Sequence, residues 1–576
     1  MLRSGRRGEV TTYRATLTVA AREADVASKT ARERGRAHDI YTTAAPRFLI
    51  ARRPPPTAAG AGAGRRRAGA HHPLLAASSS GGAPHQPAGS DDGSTMSSAP
   101  LLGGAKGDGE PAQAAAAAAS WVGRVVDTEE ARAQLGFAVP MVLTSMAYYG
   151  IPLVSVMFSG HLGDVHLAGA TLGNSWATVT GYAFVTGLSG ALETLCGQAY
   201  GARLYRMLGL YLQSSLIMSA VVSVLVSALW CFTEPVLLFL RQDPEVSRAA
   251  AVFVRCQIPG LFAFSFLQCL LRYLQTQSVV APLVVCSVAP FAIHVALAHL
   301  LVNVLGLGLA GASAAVSATF WVSCLMLLAY VLRSQAFSET WKGFSADAFK
   351  YVLPTVKLAT PSAVMVCLEY WAFELLVLIA GLLPNSTVST SLIAMCSSTE
   401  AIAYMITFGF SAAVSTRVSN EIGAGNVERA KNAVSVTLKL SVFLAVTFVA
   451  LLASGHTLWA GLFSRSATIV SEFGAIAPLM MVSIVLDSAQ GVLSGVARGC
   501  GWQHLAAVTN LVAFYFIGMP LALLFAFKLD LRAKGLWTGL ICGLVCQTCS
   551  LLVITARTRW SELAEAMREE KANYVA

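Results

Sequence analysis

A chain of 576 residues that is 55% hydrophobic and only 12% charged, with mean hydropathy +0.60, is not a water-soluble protein, in which about 25% of residues carry charge. Its formal charge of +10 points to nucleic acid or anionic lipid only until its distribution is read. Residues 1–95 hold 14 Arg and one Lys against seven acids, a net of +8, while the rest holds 26 basic and 24 acidic residues, so the basic excess belongs to a leader and no nucleic-acid partner is expected.

Residues 1–130 read as a disordered, basic, low-complexity leader. They contain Arg65-Arg66-Arg67, Pro54-Pro55-Pro56, a Gly/Ala tract and a Ser run, and cannot bury a core. Glu9, Glu23, Asp25, Glu33 and Asp39 argue against an organelle transit peptide, which is poor in acids. Residues 1–95 are expected to be without function, with translation starting at Met96.

Twelve apolar segments follow, over 135–158, 167–190, 207–232, 249–272, 280–304, 309–332, 352–382, 389–412, 433–455, 473–497, 505–527 and 535–556. Each suits a bilayer-spanning helix of about 20 residues, so an all-α membrane protein is expected. The chain also repeats itself. Gly187, Ser189, Ala191, Thr194, Gly201 and Ala202 recur 222 residues later as Gly409, Ser411, Ala413, Thr416, Gly423 and Ala424, and Tyr182/Tyr404 and Gln268/Gln490 keep the same spacing. Six segments per repeat is an even number, so both halves insert the same way, related by an axis along the membrane normal. The expected layout is a first lobe over 131–332, a connecting loop over 333–350, a second lobe over 351–557 and a tail over 558–576. Lys and Arg favour the termini and even-numbered loops over the odd ones by 14 to 6, which places both termini in the cytosol.

Cys542, Cys546 and Cys549 share one helix face and lack the His or carboxylate partners of a metal site, so helix packing is their expected use. Pro361 removes one helical hydrogen bond and crowds the carbonyl of Lys357; it is a candidate hinge, with a static kink as the other reading.

The chemistry is expected at four carboxylates in apolar segments: Glu369, Glu374, Glu400 and Asp487. Each costs roughly 2.5–3.5 kcal/mol on insertion scales if left ionised and alone. A carboxyl held out of water can take a proton near neutral pH and release it when the cavity opens to the other side, which is the basis of proton coupling. The positions 222 residues earlier are Ala147, Pro152, Thr178 and Ser265, so the coupling site is expected in the second lobe only. Glu369 and Glu374 stand about 140° apart around a helix, so one of them is expected to serve the main cavity. Tyr370, Trp371 and Tyr404 are candidate cavity aromatics, suited to flat or cationic solutes.

Several long stretches resemble the multidrug and toxic compound extrusion (MATE) family, plant DETOXIFICATION branch. They are Gly160-His161-Leu162-Gly163, Leu195-Cys196-Gly197-Gln198-Ala199-Tyr200-Gly201-Ala202, Cys367-Leu368-Glu369-Tyr370-Trp371-Ala372-Phe373-Glu374, Ser415-Thr416-Arg417-Val418-Ser419-Asn420-Glu421-Ile422-Gly423-Ala424-Gly425 and Arg498-Gly499-Cys500-Gly501-Trp502-Gln503. The resemblance covers about 130–560. It implies two six-helix lobes in a V shape and export of organic solutes in exchange for H+, with Na+ as the alternative ion. It associates coupling with acids of helices 7 and 10, here Glu369, Glu374 and Asp487, whereas Glu400 stands where many relatives carry uncharged polar residues. Ser214 follows Gln213 where the family pattern carries Arg, and the short 191–206 connection argues against citrate as substrate.

The expectation is therefore a monomeric proton antiporter for secondary metabolites and xenobiotics, without cofactor, in the plasma or vacuolar membrane. A lipid-linked flippase of related architecture and a polytopic membrane enzyme are the alternatives. The enzyme lacks a clustered catalytic set, since His294 and His299 read as isolated packing or hydrogen-bonding residues. No P-loop lysine motif supports direct ATP drive.

Overall fold

The computed structural model describes residues 127–464 and 466–575, so the Met96 start and the expected leader up to residue 126 lie outside the described residues, while the leader's last four residues, 127–130, cap and open the first helix. Asp127 begins the fold by accepting hydrogen bonds from the free amides of Glu129 (3.1 Å) and Glu130 (3.2 Å). The helix it caps, α1 (Thr128–Gly160), is followed by α2 (Asp164–Ala177), a π turn (Thr178–Tyr182), α3 (Ala183–Gly201), α4 (Tyr205–Cys231), a short α5 (Thr233–Phe239) and α6 (Pro244–Thr276). Next come α7 (Ala281–His299), extended by a π turn, and α8 (Gly308–Arg333).

After a connection of bends and one 3-10 turn, the second half runs through α9 (Ala348–Ala380), α10 (Ser386–Ala424), α11 (Val427–Phe463) and α12 (Ala467–Cys500). It continues with α13 (Gln503–Asn510) and α14 (Met519–Leu523), each extended by a π turn, then α15 (Arg532–Arg557) and a terminal α16 (Trp560–Val575). Gly425 (φ 80°) and Gly501 (φ 86°) end α10 and α12 in the left-handed region, which a residue without Cβ enters freely.

Among the described residues the elements are helical, and eleven helices are long and apolar enough to cross a membrane. The expected segment 167–190 corresponds to α2, its π turn and α3. These form one helical run rich in Gly, Thr and Ser, hence less apolar than the eleven, and it continues to Gly201.

Each half has its own apolar core. Trp230, Tyr273 and Leu208 lie in the first, Phe473, Met480 and Trp537 in the second. Large apolar side chains such as Leu225, Phe443 and Leu458 are exposed, as a lipid-facing surface requires. A third cluster joins α1, α10, α12 and α16 through Ala138, Val414, Val496 and Trp560.

Small residues set the closest approaches. Gly535, Gly539 and Gly543, four apart on α15, admit the backbone of the α13–α14 segment at Ala526, Ala522 and Ala513. These glycines, rather than the cysteines of the same helix, bring the chains together: Cys542 and Cys546 are half-buried and Cys549 is exposed.

A Cβ at Gly539 would strike the Ala522 backbone, which cannot rotate aside. Gly539→Leu is expected to lower the thermal midpoint by an equivalent of at least about 1–3 kcal/mol. Gly455→Ala, with open space around its position, should be neutral or stabilising by up to about 1 kcal/mol. Thermal unfolding of both in detergent, read by size-exclusion fluorescence, checks the contrast.

Candidate functional site

A cavity of about 170 Å³ lies between the halves. The first half supplies most of its wall from α1, the π turn, α3, α6 and α8; the second adds Tyr370 from α9 and Tyr404, Met405 and Phe408 from α10. Eight lining side chains are aromatic: Tyr148, Tyr149, Tyr182, Phe264, Phe320, Tyr370, Tyr404 and Phe408. The π turn positions one of them, since its extra residue shifts the side-chain register of the run. Tyr182 meets Phe264 edge-on at 4.9 Å and Phe320 at 6.0 Å between centroids, and its hydroxyl donates to Gln257 Oε1 at 2.8 Å.

Behind Tyr370 and Tyr404, away from the cavity lining, the second half holds a buried polar network. Gln490 on α12 donates through Nε2 to Glu369 Oε1 on α9 (2.8 Å) and to Asp487 Oδ1 (2.9 Å). Its Oε1 accepts from Gln547 of α15 (3.1 Å) and from Ser494 (3.0 Å). The direction of this network is set at its far end. Asn510 Nδ2 donates to the Met365 carbonyl (2.9 Å), so Asn510 Oδ1 accepts from Gln547 Nε2 (2.8 Å). Each amide orientation then follows from the last, and Gln490 is left with its NH2 facing both carboxylates.

Glu400 lies on α10 one turn before Tyr404. Its Oε2 accepts from Ser483 (2.8 Å), which also receives the Trp537 indole N–H (3.1 Å), while its Oε1 is buried without a hydrogen-bond partner. Glu374, five residues along α9 from Glu369, is half-buried and takes no part in the network. Of the expected cavity aromatics, Tyr370 and Tyr404 line the cavity. Trp371, one residue and so about 100° further round α9, points elsewhere: it is 39% exposed and donates to the Val179 carbonyl at 3.0 Å. Pro361 sits within the unbroken α9, and the next two residues pack on Gly187 of α3. His294 is buried between Ser155 (3.1 Å) and Thr319 (2.8 Å), as a hydrogen-bonding residue of the first-half core.

A second charged cluster was not anticipated. Glu193 of α3 is fully buried; its Oε1 lies 2.8 Å from Arg272 NH1 of α6 and its Oε2 lies 3.0 Å from Arg498 Nε of α12. Ser415 of α10 donates to the same Oε2. The signal for it was present: in register with the repeat, Glu193 matches Ser415, Arg272 matches Ser494 and Arg498 matches Thr276, three charged positions without a charged mate.

Comparison with known proteins agrees with this architecture. The family model described as MatE matches residues 140–300 and 361–524, two blocks whose starts lie 221 residues apart. Protein DETOXIFICATION 18 of Arabidopsis thaliana is 54% identical over 447 residues, spanning 78% of this chain and 95% of that protein. Protein DETOXIFICATION 16 of the same plant is 42% identical over 437 residues, spanning 76% and 90%. The crystal structure of the eukaryotic MATE transporter AtDTX14 aligns with a TM-score of 0.75 at 36% identity, over 77% of this chain and 99% of that one.

Replacing Gln490 by Met would orphan two carboxylates and two donors at once. The expected cost is about 1–3 kcal/mol for each polar group left unpaired, so the variant should show a clearly lowered thermal midpoint in detergent. Replacing exposed Glu472, which lies outside the network, should leave the midpoint unchanged.

Proposed function

The chain belongs to the MatE family of membrane transporters, and on that premise we propose that it exports small organic solutes by proton antiport. The observation that carries the reading is the placement of Glu369 and Asp487: both are buried, both are tied to one Gln490 amide, and both stand directly behind the cavity tyrosines. Two carboxylates sharing one donor in a low-dielectric site repel when both are ionised, so gaining or losing one proton changes the energy of the whole group. A change of charge there bears on α9, α10 and α12, the helices that carry Tyr370, Tyr404 and the inter-half contacts.

The same amide favours H+ over Na+ as the driving ion. A bound cation needs several oxygens turned toward it. Here the space between Glu369 Oε1 and Asp487 Oδ1 is filled by an N–H donor whose orientation is anchored at the Met365 carbonyl. Glu400 extends the acid group toward Trp537, whereas Glu374 stands apart as a subsidiary acid. The eight-ring cavity suits solutes with a flat aromatic part, held by stacking and edge contacts. We place the protein as a monomer in the plasma or vacuolar membrane, with both termini in the cytosol; no cofactor enters the scheme.

In inside-out vesicles with an acidic lumen, uptake of fluorescent aromatic cations, alkaloids or phenolics should be strong for the unaltered chain. Glu369→Gln and Asp487→Asn should each reduce gradient-driven uptake at least about tenfold, with membrane levels unchanged, while Glu374→Gln should lose less than about threefold. Unimpaired uptake in both of the first two variants would overturn the coupling assignment. Replacing the proton gradient by a sodium gradient should drive no uptake.

A further inference from the structure

We propose that Glu193 is the keystone of an inter-half latch that closes one end of the cavity, and that it acts as a positioning residue for the switch between the two access states. The inference rests on the transport reading above but makes its own demand on the structure.

The cluster is where a closure should be. Arg272 forms part of the cavity lining, with its guanidinium 5.2 Å from the centre of the Phe408 ring, and Glu193 and Arg498 lie immediately beyond it. The relative exposures are 0% for Glu193, 4% for Arg272 and 6% for Arg498, so water does not pass. The four helices that supply the cluster all end within about three turns of it, at Gly201, Thr276, Ala424 and Cys500. In the proposed topology that end is the cytosolic one.

Arg272 is also held within the first half by Gln275 Oε1 (2.8 Å) and Arg498 within the second by Ser411 (2.7 Å), and four further links around them cross from one half to the other. Thr194 donates to the Arg498 carbonyl, Gln198 to the Gly499 carbonyl (3.2 Å), Asn420 to the Thr276 carbonyl (3.1 Å) and Gln275 to Thr416 (3.2 Å). At the rim, Arg417 of α10 makes a bidentate pair with Glu130 of α1, at 3.1 and 3.0 Å.

The chemistry of the joint suits opening. A buried ion cluster adds little net stability, because hydration of the separated charges nearly offsets their attraction, yet it tolerates only one geometry. An apolar seal of the same extent would have to expose its surface to water each time the halves part. With one carboxylate serving two guanidiniums, separation also divides the charges unevenly. Glu193 and Arg272 stay together in the first half, and Arg498 departs with the second half, where Asp487, Gln490 and Ser494 lie along the same face of α12.

One native thiol reports on the joint. Cys500 follows Arg498 by two residues and is buried between Gly499, whose carbonyl Gln198 holds, and Gly501, which faces Thr194. In purified full-length protein, Glu193→Gln should raise the rate of modification of Cys500 by a water-soluble maleimide about tenfold, read by peptide mass spectrometry, while Glu193→Asp stays within about threefold of the unaltered chain. Cys286 and Cys396, buried in the cores of the first and second half, serve as controls and should stay protected. Ser415→Ala removes only the hydroxyl donor to Glu193 and should give a smaller rise at the same thiol, which keeps the test decisive if Glu193→Gln does not fold.

Unchanged modification in a folded Glu193→Gln or, failing that, in Ser415→Ala overturns the latch, as does a uniform rise that includes Cys286 and Cys396. The measurement needs neither solute nor proton gradient. A failed latch therefore leaves the antiport reading standing, and a failure of the Glu369 and Asp487 variants to lose transport leaves the latch standing.

Discussion

A lipid interior solvates neither a charge nor an unpaired amide, and the remaining features of this molecule answer to that constraint. It makes the described chain helical, sends hydroxyls such as Thr144 back to the carbonyl of Pro140 at 2.9 Å, and draws the most deeply buried charges into company. Removing one partner from a buried ion pair typically costs about 3–5 kcal/mol, against a total stability of about 5–15 kcal/mol for an ordinary domain. Among the described residues the buried charged groups, apart from Glu421 paired with Arg417 at the rim, fall into two sets: one carboxylate between two arginines where the halves meet, and a group of acids around glutamine and serine within the second half.

The two halves share a scaffold and divide the labour. The first contributes most of the aromatic wall, with a π turn that sets Tyr182 among Phe264 and Phe320. The second contributes the acids and the amide chain that orients them, and its Tyr370 and Tyr404 stand between the cavity and those acids. In the proposed scheme a solute in the cavity touches Tyr370 and a proton sits on Glu369, consecutive residues of α9 that face different ways, without sharing a ligand atom. Their mutual influence has to pass through helix position.

Much of this was legible in the sequence because hydropathy and its exceptions are properties of single residues. The apolar segments, the parallel repeat and the buried acids all follow from asking what a bilayer accepts. Glu193 escaped for a local reason. Segment 167–190 is rich in Gly, Thr and Ser, so its apolar signal fades early, while the helix itself runs on to Gly201 and carries Glu193 inside. Gln490 was visible as the mate of Gln268, but its role depends on a chain of amide orientations that begins at the bond between Asn510 and Met365, two residues 145 apart in sequence. Trp371 and Tyr370 are neighbours of equal promise in the sequence; only the rotation of α9 decides that one faces the cavity and the other the π turn. The cysteine face of α15 had the right spacing for packing, and the glycines beside it took that role because they alone admit a neighbouring backbone.

The contacts between the halves are reciprocal. A Cβ on Gly201 would run into the Asn420 carbonyl, and one on Gly423 into the Gln198 carbonyl; 201 and 423, like 198 and 420, stand 222 apart. That is the signature of a twofold axis, of the kind that relates the subunits of a homodimer. Glu193 and Ser415 are also 222 apart, and they touch each other, so they sit on the axis itself. In a dimer of identical chains a residue on the axis meets its own copy, and a glutamate there would face a glutamate in a medium that cannot separate like charges. Joining two copies in one polypeptide lifts that restriction. The arginine-bound carboxylate at the centre of this protein is an arrangement that a single fused chain can hold and a symmetric pair of identical halves cannot.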